Sequence, residues 1–370
     1  MKQFISLFLF CLLIGPFQTF AQGHLKIAPV GGNKKASISE QIGICNISLH
    51  YDRPGVKGRE GKIWGTSVAY YGYDDLGTSK AAPWRAGANE NTTISFTHNV
   101  KIEGQDLPAG TYGLFMALEE SKTTVIFSNN STSWGSYFYD AADDALRVVV
   151  NNENLEKSVE WLQFTFSNQT ENSAVVALEW EKRRIPFKIE VDIHAAQIAS
   201  FKKELRSGLG FEWQSYAQAA MYCATNKVEL PQALEWAETA VSSPFLGEKN
   251  FQTLSCKAAV LNALNRSAEA DESMKEALPL GTELEVHTYA KTLLSQKRAK
   301  VAFDAFKLNY EKHPDSFTTL VGMGRGHSAL GEYGKALDFL KKALPKAPNP
   351  MNQTNVENMI KKLEQKQDIN

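Results

Sequence analysis

Cysteine is scarce, with four in 370 residues, and Cys11 falls inside the first apolar run. Cys45, Cys223 and Cys256 are too widely spaced for a disulfide framework or a metal knuckle. They are expected as small buried hydrophobes, with Cys223–Cys256 the pairing left open. Charge of one sign is missing as well. Lysine plus arginine number 40 against 41 acidic residues, a formal net charge of −1, so no bulk electrostatic pull toward nucleic acid or an anionic membrane exists. The seven histidines stand singly, at His24, His50, His98, His194, His287, His313 and His327, and none forms a zinc-binding helical pair. No calcium loop, nucleophile elbow, Walker loop or dinucleotide fingerprint occurs. These gaps exclude the common metal and cofactor templates, so no cofactor or metal is expected and a non-enzyme is favoured. Beyond the first two dozen residues no apolar run is long enough to span a bilayer. What remains is ordinary globular composition, 43% hydrophobic and 22% charged, in a chain long enough for two or three cores.

The amino end reads as a leader. Lys2 supplies a positive start, Phe4 to Ile14 an apolar stretch, Gly15-Pro16 a break, and Thr19 and Ala21 the small residues before a cut at Gln22. Export to the periplasm or the exterior is the expectation, with 1–21 as signal peptide and 22–37 as linker.

Periodicity changes near residue 193. Upstream, short apolar alternations such as Ile94–Phe96 and Val175–Trp180 lie between turn signals such as Asp52-Arg53-Pro54-Gly55 and Leu107-Pro108-Ala109-Gly110. Roughly nine strands between Gln41 and Val191 predict an antiparallel β-sandwich or barrel-like domain over 38–192. Gly55 to Pro83 is the least regular stretch and is expected as an excursion over one end.

Downstream the pattern is helical. Cys256, Ala290 and Gly324 are spaced by 34 residues, as are Ala268, Ala302 and Ala336, and Pro314 and Pro348 repeat the interval. The last unit, with Leu320, Gly324, Gly331, Tyr333, Ala336 and Pro348, is similar to the tetratricopeptide repeat. That resemblance implies an α-helical solenoid over 210–348, preceded by a connecting helix at 193–209 and followed by a capping helix and tail at 349–370. Gly322-Met323-Gly324-Arg325-Gly326 is read as helix packing.

The upstream domain carries a second resemblance. The run Ala81-Ala82-Pro83-Trp84-Arg85-Ala86-Gly87-Ala88-Asn89-Glu90-Asn91, preceded by Tyr51-Asp52-Arg53-Pro54-Gly55-Val56-Lys57-Gly58-Arg59 and followed by Leu107 to Tyr112 and Trp134-Gly135, resembles the DUF2911 family. These are exported bacterial domains with no assigned reaction. Tyr70 to Lys80 departs from the family as an insertion. Physical reading of the same residues brings His50, Asp52, Arg53, Lys57 and Arg59 at one strand end toward Trp84, Arg85, Asn89 and Glu90 at the entry to another. If the loops meet, they form a mixed-charge end able to bind a small polar ligand or a carbohydrate. The alternative is structural, with Arg85 paired to Glu90 or Asp52 and Trp84 capping the core. Two functions follow. One is an exported adaptor whose repeats offer a groove to a protein or peptide partner. The other is an envelope enzyme or ligand-binding protein using the Arg53/Arg85/Glu90 end.

Overall fold

The computed structural model describes residues 32–370, so the expected leader and most of the expected linker lie outside the described residues. An antiparallel β-sandwich is followed by a helical array of the tetratricopeptide type. The strands are β1 (Lys34–Ile42), β2 (Cys45–Arg53), β3 (Asp74–Leu76), β4 (Ser79–Ala82), β5 (Thr93–Phe96), β6 (Val100–Ile102), β7 (Gln105–Leu107), β8 (Gly110–Leu118), β9 (Lys122–Ser128), β10 (Asp144–Asn151), β11 (Glu153–Ser167) and β12 (Ser173–Glu190). One sheet runs β1-β2-β5-β8-β9-β10 and the other β11-β12-β6-β7, with β3 and β4 a separate ribbon. The first strand begins at Lys34, inside the stretch expected as linker.

Alternation explains the sandwich. Ile47 and Leu49 of β2, Leu114 and Met116 of β8, and Val125 and Phe127 of β9 point one way; Leu162 and Phe164 of β11, with Val176, Leu178 and Trp180 of β12, meet them from the other sheet. Tyr51 meets Phe164 edge-on at 4.9 Å, and Phe127 meets Phe187 at 5.8 Å. The irregular stretch after Gly55 is held by Glu181, a buried carboxylate that accepts from the Gly61 backbone and the Trp64 indole. The β3–β4 ribbon begins within the expected insertion and runs past it to Ala82.

The helices are α1 (Ile193–Glu204), α2 (Trp213–Asn226), α3 (Leu230–Ser242), α4 (Phe251–Ala263), α5 (Ser267–Ala277), α6 (Glu283–Ser295), α7 (Ala299–Lys312), α8 (Phe317–Ala329), α9 (Tyr333–Ala343) and α10 (Pro350–Glu364). α1 joins the two cores. Asp192 caps it by accepting from the Ala195 N–H at 2.9 Å, Ala196 packs into the sandwich, and Ile198 and Phe201 pack into the first helical pair. Next come four antiparallel pairs, with α10 lying against the last.

The repeat differs from expectation at one step. Helices α4, α6, α8 and α10 start at 251, 283, 317 and 350, steps of 32, 34 and 33 residues. α5 is short and ends at Ala277, two residues before Pro279, which has no backbone N–H to carry the helix on. The small residue facing its own partner helix is therefore Ala258, against Ala270, as Ala290 faces Ala302. Cys256 faces the preceding pair instead, its Sγ 3.3 Å from the Ala217 carbonyl, and Ala268 is exposed. Cys223 and Cys256 share one core as free thiols. Burial pushes the Cys256 thiol up to about 12 and raises Cys223 as well, so both are inert small hydrophobes.

Candidate functional site

At the predicted polar end, β2 sends Tyr51 inward, which leaves His50 in solvent and Asp52 on the outer side. The loop 86–91 closes over Asp52 and leaves it 3% exposed. Only glycine fits at Gly87, because a Cβ there would lie 2.8 Å from Thr92 Oγ1 and 3.1 Å from the Asp52 carbonyl. Asn89 takes the left-handed backbone that asparagine tolerates, and its Nδ2 donates to Asp52 Oδ1 at 3.3 Å. Lys35, opposite Asp52 in the β1–β2 register, bonds Glu90 and lies 3.5 Å from Asp52 Oδ2. The hydrogen bond to Glu90, aided by both negative charges, holds the Lys35 ammonium above its ordinary value. A hollow of about 440 Å³ opens beside them, lined by Lys35, Ser37, His50, Asp52, Glu90 and Asn91.

The other predicted residues are not brought to this hollow. Arg53 reaches across the sandwich and donates from Nε to the Leu162 carbonyl at 2.8 Å. Lys57 lies near the Trp161 ring, and its backbone N–H donates to Glu160 at 3.0 Å. Arg59 donates to the Val56 and Gly55 carbonyls, closing its own turn. Trp84 is core, stacked on Trp180 at 6.2 Å and edge-on to Trp64 at 5.8 Å. Arg85, next along the chain, therefore points out. It donates to the Asn89 carbonyl at 2.9 Å and lies over the Tyr137 ring at 5.6 Å. The expected Arg53/Arg85/Glu90 end is thus three separate arrangements. The expected pairing of Arg85 with Glu90 or Asp52 is replaced by Lys35, which sequence reasoning missed because it fell in the expected linker. Apart from this end, Asp144 is held by Tyr139 at 2.7 Å and Arg147 at 2.5 Å, and burial raises its pKa.

A second surface lies on the helices. α2 packs beside α4 and α6 beside α8, whereas α3 and α5 are separated by a channel of about 500 Å³ floored by Leu254, Lys257 and Leu261. The first helix of each pair therefore faces the inside of the array. On α6 that inner face carries Leu284, Thr288, Lys291 and Ser295, all exposed; on α8 it carries Thr318, Arg325 and Ala329. Lys291 and Arg325 occupy equivalent positions, the ninth residue of each helix. Among the described residues neither has a carboxylate within ion-pair distance. Between them His287 packs on Phe306 at 5.3 Å, with Nδ1 buried and unbonded. Burial, reinforced by Arg325 and Lys291, lowers its pKa to about 4. No motif marks this pair of cations; its signal is the 34-residue spacing of Lys291 and Arg325.

Among the described residues no group of three or more histidine, cysteine or acidic side chains is placed to hold a metal, and no helix is long and apolar enough to cross a membrane. Residues 33–189 match the family described as "Protein of unknown function (DUF2911)". No curated protein matches the chain. Among solved structures, the chain is similar to YrrB, a tetratricopeptide-repeat protein described as having an unusual peptide-binding site. Identity is 18%, covering 44% of this chain and 81% of that one, with a TM-score of 0.30. It is also similar to MamA AMB-1, at 17% identity over 42% of this chain and 85% of that one, TM-score 0.27. For MamA MSR-1 the values are 15%, 42%, 95% and 0.26.

Proposed function

We propose that the protein is an exported binding module whose helical array holds an acidic, extended segment of a partner protein against the inner helices. One observation carries this reading: Lys291 and Arg325 stand at equivalent positions on neighbouring inner helices, unpaired, on a face otherwise made of Leu284, Thr288, Ser295, Thr318 and Ala329. Two cations one helix apart, neither held in an ion pair, favour a chain that brings its own negative charge. The exposed Leu284 adds an apolar contact beside them. The β-sandwich serves as a rigid platform, joined to the array through α1 without a floppy linker.

The test is in-cell crosslinking and capture with the full chain as bait, comparing the parent with Lys291→Glu/Arg325→Glu. A partner held by the parent, released by salt and lost from the variant supports the reading. A partner held equally by both removes the groove from the function.

A further inference from the structure

The chain does not stop at the end of α10. It reverses at Lys366, in the left-handed region with φ 56°, and Asp368, Ile369 and Asn370 then run back onto α8. The end of α10 needs none of these three residues. Its last carbonyls already accept from the backbone N–H groups of Gln365, Lys366 and Gln367. The bonds of the three go to α8. The Ser328 hydroxyl donates to Asp368 Oδ1 at 2.6 Å and accepts from the Ile369 N–H at 3.2 Å. Asn370 Nδ2 donates to the Arg325 carbonyl at 3.1 Å, and Arg325 Nη1 donates to Asn370 Oδ1 at 3.3 Å. Ile369 is 7% exposed, in the cluster that contains Val321 and Leu363. Each side chain thus has its own place: a carboxylate on a hydroxyl, an aliphatic group in an apolar cluster, and an amide on an arginine.

We propose that Asp368-Ile369-Asn370 is an intrachain ligand of the groove, and that a partner segment with a carboxylate followed by an aliphatic side chain competes with it for α8. The proposal rests on the groove reading above, since it names what the groove accepts and what occupies its α8 end beforehand. Arg325, one of the two inner cations, is the residue the segment covers, so free and occupied grooves differ in charge as well as shape. The attachment consists of one aliphatic side chain and a few hydrogen bonds, and a competitor offering the same groups plus further contacts along α6 displaces it.

The probe is a fluorescein-labelled peptide copying residues 364–370, with both ends blocked, titrated into the full chain and into its Ile369→Asp variant. The variant is expected to bind the peptide at least ten-fold more tightly than the parent, because its own segment no longer seats. A peptide carrying Asp368→Lys should not bind. Equal affinity for parent and variant, or no binding to a variant with parent-like circular dichroism, overturns the proposal. Should Ile369→Asp fail to fold, the chain lacking residues 368–370 replaces it, which leaves Ser328 and Arg325 intact as the seat. Peptide binding must then be tighter than to the parent, and equal affinity overturns the proposal. Absence of peptide binding, with partner capture still dependent on Lys291 and Arg325, sinks the intrachain ligand and leaves the groove. Peptide binding with capture indifferent to those cations does the reverse.

Discussion

Glu181 accepts a hydrogen bond from the Trp64 indole at 3.1 Å, and the same carboxylate takes the Gly61 N–H at 3.0 Å. Glu181 lies in β12 where pairing with β11 slips register, and its backbone is left-handed, φ 51°. The irregularity turns a carboxylate, 7% exposed, toward the excursion that follows Gly55. Glu181→Ala leaves two donors without an acceptor, and hydrogen bonds to a charged group contribute about 1.5–3 kcal/mol each. A loss of roughly 2–4 kcal/mol in urea unfolding is expected, with a change in near-UV dichroism from Trp64, Trp84 and Trp180. Parent-like stability would show that the excursion is held by something else.

Two glycines in helices should respond oppositely to alanine. At Gly322 a Cβ would lie 2.6 Å from Phe306 Cδ1 and 3.2 Å from His287 Nδ1, whereas at Gly334 it would meet nothing within 4 Å. Overpacking a closed helix contact costs about 1–3 kcal/mol, more than the roughly 1 kcal/mol that alanine returns in helix propensity. Gly322→Ala should therefore lower the urea midpoint and Gly334→Ala raise it slightly. Equal shifts of one sign would mean that propensity alone governs both positions.

The contrast between these glycines marks what a sequence can say. The glycine-rich run on α8 was legible as packing, and Gly324 sits against Leu340 as the repeat pattern requires. The period also placed Ala290 and Ala302 against each other, but it misassigned Cys256 because the α4–α5 unit is shorter, a length difference that residue spacing absorbs silently. In the β-domain, alternation pointed to an antiparallel sandwich or barrel and left Trp84 open between capping the core and joining Arg85 at the polar end. It could not say which carboxylate meets which cation, since that depends on strand register: Lys35 reaches Asp52 because β1 pairs with β2 in the register that sets them opposite. The polar end was therefore found as a region and misread as a single constellation. The cations of the groove went unseen because a lysine and an arginine on helices read as solvated surface until the first helices are known to face inward.

His287 gives the fold an acid sensitivity with a definite sign. Its folded pKa is depressed from 6.5 to about 4 by burial first and by Arg325 and Lys291 next, with Glu283 opposing. The unfolded chain takes up the proton before the folded one does. The stability this group contributes is thus fully present above pH 6.5 and is lost as pH falls from 6.5 toward 4. Between pH 7 and pH 4.5 the loss should reach roughly 2–3 kcal/mol, from about 1.36 kcal/mol per pKa unit. Other groups titrate in that window, so the informative quantity is the difference between parent and His287→Gln, which keeps a polar side chain but cannot titrate. The variant should lose less stability than the parent on acidification, by about that amount, in urea unfolding at the two pH values. Identical losses would mean that the imidazole is solvated in the folded chain. The same cations that depress His287 are those proposed to meet an acidic segment, and a carboxylate seated beside them offsets their charge. An acidic peptide bound in the groove should therefore raise the His287 pKa, measurable as a shift of its ring resonances during titration. A ligand that protects the chain without moving those resonances binds elsewhere.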